Sequence, residues 1–350
     1  MPHVPPFPAD VDVAVVSHNG RQTLPRLLEC LMAADAPRDR ITIYDVASTD
    51  DSVAWLAAEW PGVRVDRLSV NNGPDPGRNR ALRQCTTPYL LLLDADAYVR
   101  PDMTARLRDA LDPSARVACT VPVVVHTHKP DTVQYASGSM HFICEAVNPF
   151  LDRPLVDRGT DDRDIGAAPG VAYLIDVAVS RRIGDFDDRY FIGKEDGDFC
   201  HRIVMAGYRL VEVGTAQVEH HSKPRSAWLW PCQIRNRWHF LLKNYELRTL
   251  LLMIPALIVH EPMQFAMIVA KGQFGAYRRA VRELIPWLKT LRQERREIAS
   301  FRKKPDGALF IAAPLVIRQD FVGGTAGRLF KAAYDAWLRG YWAVIKPLVS

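Results

Sequence analysis

The residues best placed for chemistry are Asp94 and Asp96, which interrupt the run YLLLLDADAYV at positions 89–99. Residues 89–93 are mostly aliphatic, as in a strand buried on both faces. A strand ending at Asp94 presents two carboxylates at the carboxyl end of a sheet, where α/β folds hold their ligands. Close like charges raise a pKa unless a cation sits between them. A divalent ion carried on a phosphorylated substrate resolves that conflict. An isolated D-x-D is equally compatible with a turn aspartate and a helix cap, so its surroundings must decide. A second acidic pair, Glu195-Asp196, opens a stretch where Phe199, Ile203 and Val204 recur at helical spacing. Acidic side chains are favoured at a helix N-terminus by the dipole. They also suit a general base that deprotonates a hydroxyl opposite a departing group.

The elements needed to position these groups are visible along the first hundred residues. Residues 11–16, 41–45, 63–68 and 90–93 read as strands. Between them lie a helix with Leu24, Leu27, Leu28, Leu31 and Met32 at helical spacing, a capped helix over 53–60, and a loop into a basic helix over 71–82. This alternation predicts a mostly parallel, doubly wound α/β sheet. No G-x-G-x-x-G follows the first strand and no G-x-x-x-x-G-K occurs, which excludes a dinucleotide fingerprint and a P-loop. Polar residues fall where a nucleotide needs them. His18 and Asn19 follow strand one, Asp45 ends strand two, and Asn72, Gly73 and Arg78 precede the central strand.

The chain has 350 residues, 48% hydrophobic and 24% charged, which are globular values and exclude a disordered chain. Its six cysteines are scattered without a C-x-x-C, so neither a zinc knuckle nor a disulfide framework is indicated, and a reducing compartment is the simpler reading. The Pro-rich start, MPHVPPFPAD, lacks the basic and apolar regions of a signal peptide and reads as a disordered tail over 1–9.

The segments VDVAVVSHNGRQTLPRLLECL, YDVASTDDS, NNGPDPGRNRAL and LLLLDADAYV resemble, in order and spacing, the start of a family-2 glycosyltransferase. A second signature, GDFDDRYFIGKEDGDFCHR from Gly184 through Arg202, extends the likeness to about 200 residues. His18 stands where that family usually has tyrosine, and Val46 where it has asparagine. The resemblance implies a GT-A fold and an inverting transfer from a nucleotide-diphosphate-sugar. It implies a donor site drawn from Ser17, His18, Asn19, Asp45, Ser48, Asp50, Asn72, Gly73, Arg78, Asp94, Ala95 and Asp96. It further implies Mg2+ or Mn2+ at Asp94 and Asp96, with His220 completing the set and His221 as its alternative. Asp196 is then the base and Glu195 the second candidate. Asp198 and Arg202 brace the helix or the donor phosphates.

Two domains follow: a GT-A domain over 10–245, with a nucleotide-sugar half (10–125) and an acceptor half (126–245), and a helical extension over 246–350. Residues 126–166 show little periodicity, and His126-x-His128 reads as surface or pocket lining. Residues 225–245, from Arg225, interleave tryptophans with basic side chains. The apolar runs 250–259 and 263–270 each fall short of the ~20 residues of a spanning helix and are interrupted by Glu261, Pro255 and Pro262. An interfacial pair of helices fits better. A basic tract from Arg278 to Lys304 suits anionic lipid headgroups, and residues 329–349 form another amphipathic helix. The expected partners are a sugar-nucleotide donor, a saccharide or lipid-linked acceptor and an anionic membrane surface, not nucleic acid. The expected location is cytoplasmic, on the inner face of the plasma membrane. Two other readings remain: a haloacid-dehalogenase-like phosphohydrolase, which also begins with aliphatics and D-x-D, and a non-catalytic membrane adaptor on a degenerate scaffold.

Overall fold

The structure, a computed structural model, describes residues 5–222, 227–315 and 324–350. Its first half contains β1 (Val11–Ser17), α1 (Leu24–Ala33), β2 (Ile41–Val46), α2 (Ser52–Glu59), β3 (Arg64–Leu68), α3 (Asp75–Gln84), β4 (Tyr89–Asp94), β5 (Ala97–Val99), α4 (Met103–Ala110) and β6 (Val117–His126). Then come β7 (Lys129–Tyr135), β8 (Ser139–Met140), β9 (Ala146–Val147), β10 (Arg163–Asp164), β11 (Ala172–Asp176), α5 (Val177–Ile183), α6 (Glu195–Met205) and β12 (Arg209–His220). The remainder is helical: α7 (Trp230–Asn244), α8 (Leu247–Ala270), α9 (Phe274–Trp287), α10 (Leu291–Phe301), α11 (Asp306–Leu309) and α12 (Gly324–Ile345).

Successive side chains of a strand point to opposite faces, and the central strands are apolar on both. Leu91 and Leu93 of β4 pack with Leu24, Leu27 and Leu28 of α1 and Met103 of α4. Leu90 and Leu92 pack on the other side with Leu82 of α3 and Phe199 and Ile203 of α6. The main sheet runs in the order β10-β12-β6-β11-β4-β1-β2-β3, with β5 on β12 and β7 on β6. Strands β3, β2, β1 and β4 are parallel, as the alternation predicts. Beyond β4 the sheet is mixed, because β11 runs antiparallel to both β4 and β6.

Three expectations change. Residues 126–166 contain a strand, β7, that pairs antiparallel with β6; its KPDTVQY sequence is too polar to signal one. The strands expected at 210–213 and 217–219 are one strand, β12, whose register on β6 shifts between Val213 and Gln217. The expected pair of apolar helices is one continuous helix, α8, with Pro255 and Pro262 inside it. Buried contacts at Met253 and Ala256 hold it together across the bonds the prolines remove.

The helices after residue 245 share a core with the sheet domain. Met140, Phe142 and Met205 pack with Met253, Leu309, Leu338 and Trp342. Phe142 stacks on Trp342 at 4.9 Å and His201 on Phe310 at 5.0 Å. Of the tail expected to be disordered, residues 1–4 lie outside the described residues. Phe7 packs on the core, and Pro8 and Ala9 accept bonds from Arg40. Arg225 also lies outside the described residues.

Candidate active site

The register of the parallel strands sets the first part of the site. Ser17 lies opposite Asp45, and Val16 opposite Asp94, so these residues line one edge of the sheet. Asn19, at φ 52°, turns the chain beyond β1. Its backbone N donates to Ser48 Oγ at 2.8 Å, and its Oδ1 accepts from the backbone N of Thr49 (2.8 Å) and Asp50 (3.3 Å). His18 Nδ1 donates to the Val46 carbonyl at 2.7 Å. Asp45 is buried, accepts from Ser48 N at 3.2 Å and pairs with Arg67 at 3.3 Å. Partial burial alone would raise the Asp50 carboxyl, but bonds from Ser52 and Arg21 hold it below the usual range. Ser17 Oγ is buried with no hydrogen-bond partner among the described residues.

Arg78 is the hub of the second part. It is 2% exposed, so it acts on its neighbours and not directly on solvent. Its guanidinium donates to Asp75 Oδ1 at 3.1 Å, Asp94 Oδ1 at 3.0 Å and the Gly170 carbonyl at 3.2 Å. A Cβ on Gly170 would fall 2.2 Å from Arg78 Nη2, so only glycine permits this approach. Burial raises the Asp94 carboxyl; Arg78 opposes that and the Asp96 charge adds to it. Burial also pushes Asp75 up to about 8 despite the same guanidinium. Gly73, at φ +90°, places its backbone against the Phe191 carbonyl, where a Cβ would lie 2.1 Å away. Asn72 beside it is exposed, and Ala95 N donates to the Val16 carbonyl at 3.1 Å.

The two acidic pairs meet at Gly170. Its carbonyl receives Arg78, which holds Asp94, while its backbone N donates to Asp196 Oδ2 at 3.2 Å. Asp196 is partly exposed at the start of α6, and its Oδ1 accepts from Gly197 N at 2.7 Å. Glu195 is buried, and its Oε2 has no partner among the described residues. Burial and then the Asp196 and Asp75 charges push the Glu195 carboxyl well above its ordinary range, against the pull of Arg78. The pair therefore divides into a buried Glu195, which burial pushes toward its protonated form, and an accessible Asp196. Behind them Asp198 braces the helix: it pairs with Arg202 at 2.8 Å and Lys243 at 2.7 Å.

The third part joins Asp96 to the end of β12. His220 lies opposite Ala97 across β5 and β12, and its Nε2 faces Asp96 Oδ1 at 3.5 Å. His221 donates its backbone N to the Asp96 carbonyl at 3.0 Å. Among the described residues no group of three or more His, Cys, Asp or Glu side chains is already gathered around a point that could hold a metal. Asp94 is drawn toward Arg78 instead. Asp96 and His220 together offer one oxygen and one nitrogen, which suits an ion whose other ligands are phosphate oxygens and water. A cavity of about 340 Å³ lined by Asp12, Thr42, Tyr44, Asp66 and Gln84 contains none of these residues.

Sequence reasoning missed Gly170 and Gln134. The first sits in a GAAPG loop without periodicity, and its only signal is the paired glycines. The second lies on the unread strand β7.

The helical half presents a different surface. Leu251, Ile254 and Ile258 of α8, Val281 and Ile285 of α9, and Phe330, Trp337 and Val344 of α12 are exposed. By length and composition α8 alone among the described helices is sufficient to cross a membrane. Two members of the expected lipid-binding tract are committed elsewhere: Arg295 donates to the Leu242 and Tyr245 carbonyls and Arg302 to that of Asn244, closing the end of α7.

A sheet with helices on both faces, and acidic groups at the carboxyl ends of its strands, is the arrangement in which α/β folds hold their ligands. Residues 12–160 match the family described as "Glycosyl transferase family 2". The N-acetylglucosaminyl-diphospho-decaprenol L-rhamnosyltransferase of Mycobacterium tuberculosis (strain ATCC 25618 / H37Rv) is 25% identical over 233 residues, covering 60% of this chain and 75% of the relative. Among solved structures, GalNAc-T7 with UDP, GalNAc and Mn2+ aligns with a TM-score of 0.55 at 20% identity, over 68% of this chain and 48% of that one. This chain thus spans about half the length of that structure. TarS 1–349 of S. aureus in complex with UDP-GlcNAc aligns with a TM-score of 0.51 at 14% identity, over 94% of this chain and 89% of that one. The family-2 glycosyltransferase match thus covers the part of the chain that carries Asp45, Asp94 and Asp96, and the likeness to the Mycobacterium relative extends over 60% of the chain. Those likenesses are to transferases and argue against the phosphohydrolase reading.

Proposed function

We propose that the chain is an inverting, divalent-metal-dependent glycosyltransferase that moves a sugar from a nucleotide-diphosphate-sugar to a hydroxyl of a saccharide or lipid-linked acceptor in cell-envelope synthesis. The observation that supports this most is the double use of Gly170, which ties Asp94 and Asp196 to one point through Arg78 and a backbone N–H. Asp196, accessible beside a Glu195 that burial pushes toward its protonated form, takes the proton from the acceptor hydroxyl. The acceptor oxygen then bonds to the anomeric carbon. The bond from that carbon to the diphosphate oxygen breaks, and the nucleoside diphosphate departs with the electron pair, inverting the centre. Asp96 and His220, with Asp94 beside them, would hold Mg2+ or Mn2+, which supplies positive charge against the departing diphosphate. Asp45, Ser48, Asn19 and His18 line the edge where the nucleoside lies. Arg78 is a positioning residue that fixes Asp94.

The decaprenol-linked acceptor in the name of the Mycobacterium relative supports a lipid-linked acceptor here. The exposed apolar faces of α8, α9 and α12 support docking on the inner face of the plasma membrane. A thermal-shift panel of UDP-, dTDP- and GDP-sugars with Mn2+ tests the donor assignment. At least one donor should raise Tm only when Mn2+ is present; no response to any of them would overturn it. Flotation with anionic liposomes tests the surface, and protein left entirely unbound would remove it.

A further inference from the structure

His220 is the far end of a chain of side chains that begins at the surface. Asp152 Oδ1 lies 3.0 Å from His126 Nε2. Gln134 Nε2 lies 3.3 Å from His126 Nδ1 and 2.8 Å from Ser222 Oγ. Gln134 Oε1 lies 2.6 Å from His220 Nδ1. With both imidazoles neutral, one assignment of protons satisfies every link. His126 donates from Nε2 to Asp152 and accepts at Nδ1 from the Gln134 amide. That amide points its NH2 group at Ser222 and His126, leaving its carbonyl to accept from His220 Nδ1–H. His220 is thereby fixed as the tautomer whose Nε2 carries a lone pair, and that lone pair faces the Asp96 carboxylate at 3.5 Å.

The backbone is arranged to make this contact. On β6 and β7, Val124 pairs with Tyr135 and Val125 with Val133, so Gln134 is the extra residue of a β-bulge. Bulges re-aim a side chain and recur beside active sites. His126 and His220 are themselves neighbours across β6 and β12. Two facing groups that can only accept do not bond to each other, but they are the two halves of a cation site.

We propose that Gln134 is a positioning residue for the metal: its carbonyl holds His220 in the Nε2-ligating tautomer, and His126, anchored by Asp152, keeps the Gln134 amide from turning over. The inference rests on the reading of Asp96 and His220 as ligands given under the proposed function. Partners behind a ligating histidine commonly carry about 10–100-fold of metal affinity.

The test is Mn2+ affinity by electron paramagnetic resonance, measured on the full chain with Mn2+ alone and with UDP, dTDP or GDP. Gln134→Leu should weaken Mn2+ by about 10–100-fold. Gln134→Glu, which can still accept from His220, should keep wild-type affinity, a rescue that a merely structural role would not produce. Wild-type affinity in Gln134→Leu, or equal loss in both variants, would overturn the inference. If leucine at the bulge prevents folding, as seen by thermal melting, His126→Asn is measured in its place. It should weaken Mn2+ by a smaller factor, and wild-type affinity there would overturn the inference. Wild-type protein that takes up no Mn2+ under any of these conditions would instead overturn the metal reading on which the inference stands.

Discussion

The two acidic pairs solve the same electrostatic problem in different ways. At the end of β4, Asp94 is held by a buried guanidinium, and its neighbour Asp96 is left to face His220. At the start of α6 no cation among the described residues pairs with Glu195, which burial pushes toward its protonated form, and its neighbour Asp196 is left to face the site. Each pair thus has one member that is neutralised or tied and one that is free to act. A guanidinium on Asp94 opposes the rise that burial imposes on its carboxyl and leaves Asp96 to share a cation with His220. At α6 burial takes up Glu195 and leaves Asp196 as the accessible carboxylate.

Substitutions break this comparison at unequal cost. The largest effect is expected for Asp196→Asn, which should lower transfer by about 10²–10⁴-fold while leaving Mn2+-dependent donor binding intact, as read by single-turnover kinetics and calorimetry. Undiminished turnover would remove its role. Arg78→Leu should come next, since breaking a buried ion pair from one side costs about 3–5 kcal/mol, visible in urea melts. A loss under about 1 kcal/mol would show that Asp94 is not held by it. The smallest effect is expected for Glu195→Gln, which imitates the protonated acid. Turnover should stay near wild type, and the melting temperature at neutral pH should hold or rise. The sign follows from the raised folded pKa: the glutamate lowers stability as pH climbs above its unfolded value of about 4.3, and glutamine removes that penalty. A collapse in turnover would make Glu195 the base.

The ion pairs behind α6 give a pH test of the scaffold. Burial opposes ionisation of Asp198, yet Lys243 and Arg202 lower it to about 2; burial likewise opposes Glu294, yet His239 and Arg189 lower it to about 2. Depressed carboxyls stabilise the fold fully above their unfolded values of about 4, and that contribution is lost as pH falls toward 2. Melting temperature should therefore drop steadily between pH 5 and pH 2, and a flat profile would contradict the pairing.

How much of this was legible in the sequence depends on local contrast. The parallel strands, the D-x-D at the end of β4 and the E-D opening of α6 stand out because apolar runs stop abruptly at charge. Arg78 was legible as a site residue, but its task was not, because burial beneath Gly170 is a tertiary property. Strand β7 has mostly polar side chains and pairs with one strand only, so nothing in its period marks it. Helix α8 was divided at prolines that packing overrides. Arg295 and Arg302 carry the composition of a lipid-binding tract, yet the helix end they close comes from some fifty residues earlier.

The most direct test of a shared site is donor binding measured across three proteins: wild type, Asp96→Asn and Asp196→Asn, each titrated calorimetrically with the sugar-nucleotide that shifts the wild type, with and without Mn2+. Metal-dependent binding should vanish in Asp96→Asn and persist in Asp196→Asn, which alone among the binding-competent proteins should fail to transfer. Metal-dependent binding that survives in Asp96→Asn, or transfer that survives in Asp196→Asn, would contradict it.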